Sequence, residues 1–130
     1  MNKVIQICIA LSTLPEDNLN NIIKQIIKKS SFTERQIEII LKRRNLSNSQ
    51  FTITKGAFYR QVGQSEEKFQ ALCYSWILLK ALGIIREEDI DVINRLSEQV
   101  SVIKNSDVFP EREEQVITVI QELLARMCKL

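Results

Sequence analysis

The chain reads as all-α: a single compact helical domain, residues 1–130, of about six helices with one buried central helix. Three observations carry that expectation. Three glycines and two prolines in 130 residues are too few turn-formers for a β-sandwich. Apolar residues recur at i, i+3, i+4 and i+7 through much of the length. Capping pairs of the Ser/Thr-x-x-Glu/Gln kind stand at the head of two such runs.

The first apolar run, "KVIQICIALSTL" (3–14), superficially resembles a signal peptide. It carries one Lys, an internal Gln and no small-x-small cleavage site, and it is too short to span a bilayer. It is read as a core helix, in a chain not secreted through a cleaved signal. "TLPEDN" then opens a second helix, with a Thr13–Glu16 capping box, Pro15 in the first turn and Asp17 at the positive helix end. Leu19, Ile22, Ile23, Ile26 and Ile27 form one apolar stripe, and Lys28 and Lys29 close the last turn. "SSFTERQIEIILKRRN" starts a third helix on the box Thr33–Gln36, with Phe32 placed to staple onto Ile37. Ile37, Ile40 and Leu41 face inward there, leaving Lys42, Arg43 and Arg44 at the C-terminal end, where cations are favoured.

"LSNSQFTI" follows as a loop with room for a short strand at 51–53. Thr54 caps a short helix that Val62-Gly63 ends, and Ser65, with Glu66 and Glu67 behind it, caps the next. The body of that helix, "FQALCYSWILLKALG", is apolar on nearly all sides, with Trp76 in the middle. Such a helix is buried by neighbours all round or by a partner chain, so it is taken as the central one, ended by a left-handed Gly83. "REEDIDVINRLSEQVSVIKNS" has Ile90, Ile93, Leu96, Val100 and Ile103 as its seam. "PEREEQVITVIQELLARMCKL" begins at Pro110, and its Val116, Ile120, Leu123, Met127 and Leu130 are spaced 4-3-4-3. That seam either pairs the last two helices as a hairpin or zips to a second protomer, so Val116, Ile120, Leu123 and Met127 are the candidate self-association face.

The net charge of +2 hides an asymmetry. Residues 21–60 hold nine Lys/Arg against Glu34 and Glu38, a balance of +7, while residues 81–130 hold six basic and ten acidic residues, a balance of −4. A basic centre beside an acidic helical pair at 87–130 suits a polyanion partner for the former, or contact between the two on different molecules; uneven solvated faces are the plain alternative. Cys8, Cys73 and Cys128 form no CxxC pair and fit neither a zinc site nor a disulfide framework. Cys73 is read as a core thiol, and a Cys8–Cys128 bridge stays open.

The absence of histidine removes the commonest general base and metal ligand, and three glycines cannot build a phosphate-binding loop. Glu66/Glu67, Glu87/Glu88/Asp89 and Glu113/Glu114 all fall in early helical turns, where the helix dipole accounts for them. No enzyme, cofactor, metal or small-molecule substrate is expected. A helix-turn-helix with 65–82 as the reading helix would point Glu66 and Glu67 at phosphates, which fails on electrostatics. With 54–62 as the reader, Lys55, Tyr59, Arg60 and Gln61 face out and join Lys42, Arg43 and Arg44, although the eight-residue joint is longer than the motif uses. Lys42, Arg43, Arg44, Lys55, Tyr59 and Arg60 are therefore the candidate nucleic-acid surface, against a connector with a solvated basic rim.

The segments "FTERQIEIILKRRN" and "GAFYRQVGQSEEKFQALCYSWILLKALGII", covering roughly residues 31–85, resemble small helical proteins of hyperthermophilic archaeal viruses. In particular they are similar to the paralogous proteins of Acidianus two-tailed virus, one a virion structural protein and another an inhibitor of host RNA polymerase. The resemblance implies a non-enzymatic protein working by contact, in the virion or the host cytoplasm. It would be a self-associating virion component that touches DNA through its basic centre, or a regulator that holds DNA or the DNA-binding channel of RNA polymerase. It transfers no functional residues.

Overall fold

The computed structural model describes residues 19–47, 53–104 and 110–130. Among them stand five α-helices and no strand: α1 (Asn21–Lys29), α2 (Glu34–Arg43), α3 (Lys55–Ala81), α4 (Glu87–Ile103) and α5 (Pro110–Met127). The all-α class is as expected. The helix at 3–14, the Thr13–Glu16 box and, of the strand at 51–53, Phe51 and Thr52 lie outside the described residues, and Ile53 sits in a bend.

Among the described residues the helix count is five rather than about six, partly because the helices expected at 54–62 and 65–82 are one. Thr54 caps α3, its Oγ1 accepting the Ala57 N–H at 3.1 Å, but the helix does not stop at Gly63. A mid-helix glycine costs about 1 kcal/mol relative to alanine, which one continuous ladder of i→i−4 bonds outweighs. Nor does Ser65 cap anything. It is buried inside α3, and its hydroxyl donates to the Gln61 carbonyl at 2.7 Å, the back-bond that lets serine sit in a helix interior.

The helices fall into two compact units. Of the described residues, the first holds Leu19, 27–47 and 53–72, and the second 20–26, 73–104 and 110–130. In the first unit α2 packs against residues 55–72 of α3. The Thr33–Gln36 capping box forms as the sequence predicts: the Gln36 N–H donates to Thr33 Oγ1 at 3.2 Å, and the Thr33 N–H to Gln36 Oε1 at 3.0 Å. Gln36 Oε1 also accepts from Lys68 Nζ at 2.8 Å, so a buried amide of the box ties α2 to α3. Ile39 and Ser65, both almost inaccessible, line the same α2–α3 groove, and a side chain as small as serine lets the helices approach there.

In the second unit Asn20 serves two helices. Its Oδ1 accepts the Ile23 N–H at 3.1 Å, capping α1, while its Nδ2 donates at 2.6 Å to the carbonyl of Ile103, the last residue of α4. Asn21 Nδ2 reaches Glu113 Oε2 of α5 at 3.3 Å. The α1 stripe places Ile22 fully inside. The α4 seam is as read, with Ile90, Ile93, Leu96, Val100 and Ile103 all half-buried. At the head of α4 the Arg86 N–H donates to Asp89 Oδ2 at 2.9 Å, half of a capping box supplied by an acidic N3 residue. Between α3 and α4, Gly83 takes φ +75°, and the Ile84 and Gly83 N–H groups bond back to the Leu79 and Lys80 carbonyls, a Schellman end.

The buried central helix is the main correction. Trp76 and Leu79 are half-buried, but Tyr74 is 73% exposed, Leu78 is 56% exposed, and Leu72, Ile77 and Leu82 are each more than half open. Cys73, expected in a core, is an exposed free thiol. All-round apolar character promises burial only if enough neighbouring surface exists to cover every side, and among the described residues much of the C-terminal part of α3 is exposed.

Candidate nucleic-acid interface

The basic residues at the end of α2 owe their position to its C-terminal cap. Asn45 adopts φ 57°, and the Leu46 and Asn45 N–H groups return to the Leu41 and Lys42 carbonyls at 2.7 and 3.1 Å, a second Schellman end. Asparagine tolerates that left-handed backbone. Lys42, Arg43 and Arg44 thus sit on the closing turn, beside carbonyls that favour cations.

Two cation–π contacts carry this turn onto α3. Lys42 Nζ lies 5.8 Å from the centre of the Phe58 ring, and the Arg44 guanidinium lies 5.8 Å from the centre of Phe69. Phe58 in turn meets Tyr59 edge-on, with ring centres 5.6 Å apart at 81°. Arg43 and Arg44 also line an open groove of about 400 Å³ with Ile39, Ile40, Val62 and Glu66. The structure so brings Lys42, Arg43 and Arg44 beside the first four turns of α3.

The remaining three candidates are on the first two turns of α3. Lys55 and Tyr59, four apart, share a face, and both are exposed. Arg60 is also exposed but points about 100° further round the helix, away from that face. Among the described residues no carboxylate forms an ion pair with Arg43, Arg44, Lys55 or Arg60. The positive end of α3's dipole adds to the field of Lys55. Phe69 is the contributor that sequence reading missed, because its apolar neighbours marked it as core.

The candidate self-association face lies in the second unit. Val116, Ile120, Leu123 and Met127 are half-buried along one side of α5, between exposed Gln115, Thr118, Val119 and Glu122. Among the described residues no group of Cys, Asp and Glu could hold a metal ion, and no helix is long and apolar enough to cross a membrane. Cys128 is a free, exposed thiol, and Cys8 lies outside the described residues. No protein-family model, no curated protein and no solved structure matches the chain.

Proposed function

We propose that this is a non-enzymatic contact protein, a virion component that assembles with copies of itself and touches DNA through the corner between α2 and α3. One observation carries the DNA contact: Arg43, Arg44 and Lys55 stand without carboxylate partners among the described residues, near an exposed tyrosine. Cations of this kind neutralise phosphates, and a half-exposed phenol ring offers a surface on which an unstacked base can lie. Self-association is supported by the apolar surface left open on α3. The virion setting rests on the sequence resemblance of residues 31–85.

Gel retardation at moderate salt tests the DNA contact. The wild type retards duplex DNA, and the triple reversal Lys42→Glu, Arg43→Glu, Arg44→Glu abolishes retardation while keeping its helical circular dichroism. Equal retardation by both proteins overturns the assignment of the surface.

A second reading, a regulator that plugs the DNA channel of RNA polymerase, is favoured by the acidic start of α5, where Glu111 and Glu114 are exposed. A channel shaped for a polyanion would accept such a surface. Under it, Glu111→Lys, Glu113→Lys and Glu114→Lys together relieve inhibition of transcription in vitro; undiminished inhibition rules it out.

A further inference from the structure

We infer that the exposed stripe on the C-terminal part of α3 is where a second copy of this chain docks, as an antiparallel helix pair with two-fold symmetry. The inference rests on the self-association reading above and gives it a surface different from the α5 seam. Tyr74, Ile77, Leu78 and Ala81 recur at helical spacing along one side of α3, and Leu82 continues the row into the cap. All five are exposed, the four large ones by between half and three quarters of their surface. By contrast Val116, Ile120, Leu123 and Met127 are already half-buried within one molecule.

Area, charge and symmetry decide the occupant. Four such side chains leave roughly 500 Å² open on each copy, so a face-to-face pair buries about 1,000 Å², the lower bound for a specific interface. Residues 69–85 carry a single charge, Lys80. A partner recognised by charge would find almost nothing to read, and a lipid surface is met by a rim of several Lys or Arg, which one lysine does not supply. An uncharged stripe is complementary to itself, as a two-fold interface requires. Direction follows from Tyr74 and Ala81: a parallel pair sets the two Tyr74 rings side by side, whereas an antiparallel pair about the Ile77–Leu78 level sets each Tyr74 opposite the partner copy's small Ala81. Ala81 leaves room in this arrangement for the partner's Tyr74 ring.

The test uses the full chain in sedimentation equilibrium over a concentration series, with circular dichroism as the check on folding. Wild type is expected to be a dimer. Leu78→Glu and Leu78→Lys, each at an exposed position, are expected to weaken dimerisation at least about 100-fold, because each buries an unpaired like charge against its twin. Mixed one to one, the two variants are expected to form a heterodimer, a rescue that misfolded chains would not show. A wild type that stays monomeric at high concentration overturns both this inference and the self-association reading. Variants that dimerise as tightly as wild type overturn the α3 stripe alone. Monomeric variants that fail to recombine overturn the direct stripe-to-stripe contact.

Discussion

Replacing Gly63 by alanine distinguishes sharply between two ways this chain could be built. Gly63 is inside α3, and a β-carbon added to it meets no atom within 4 Å. The substitution therefore carries no packing term. It removes the conformational freedom glycine has in the unfolded chain and gains helix propensity, together worth about 0.5–1 kcal/mol. For a chain of this length that raises the melting temperature by roughly 2–5 °C. If a helix ended at Gly63 in a left-handed turn, as the "VGQSEE" spelling suggests, the same methyl group would cost about 1–2 kcal/mol. Gly83 supplies the control. It does end α3 at φ +75°, also in open space, so Gly83→Ala is expected to destabilise by about 1 kcal/mol through backbone strain alone. Urea titration followed by circular dichroism at 222 nm reads both. A loss of stability in Gly63→Ala would refute the continuous helix.

Asn20→Ala removes the α1 cap and the bond to the Ile103 carbonyl together, and is expected to cost about 1–2 kcal/mol in the same titration. Asn20→Asp keeps the capping oxygen and loses the donor, so it should fall between the two. Ser65→Leu drives a branched side chain into the α2–α3 groove and should cost roughly 1–3 kcal/mol, whereas Ser65→Ala stays within about 0.5 kcal/mol. Equal tolerance of leucine would mean that the helices do not approach closely there.

Local signals in the sequence were good guides wherever a single turn of chain decides the outcome. Thr33 with Gln36, Thr54 and Gly83 each act as their side chain or lack of one requires. The periodic stripes of α1 and α4 also face inward, because burying one side of a helix needs only one neighbour. Failures came where two local signals competed or where distance in sequence mattered. Gly63 and Ser65 spell a stop and a cap, yet the ladder of a 27-residue helix overrides both. Asn20 meets Ile103 across 83 positions, and no local pattern announces that bond. The open face of α3 was illegible for another reason: composition shows that Tyr74 and Leu78 are apolar, not whether the chain has surface to spare for them. The basic cluster was legible as charge in sequence, but its fastening through Phe58 and Phe69 is a tertiary contact that no local pattern spells.

The most direct test of a DNA-contacting α2–α3 corner is the salt dependence of duplex binding, followed by fluorescence anisotropy from low to moderate ionic strength. Arg43, Arg44 and Lys55, which form no ion pair among the described residues, would neutralise about three phosphates, and log K should fall against log salt with a slope of about −3, each reversal at the corner reducing it by about one. A slope near zero, or one unchanged by the triple reversal, would contradict it.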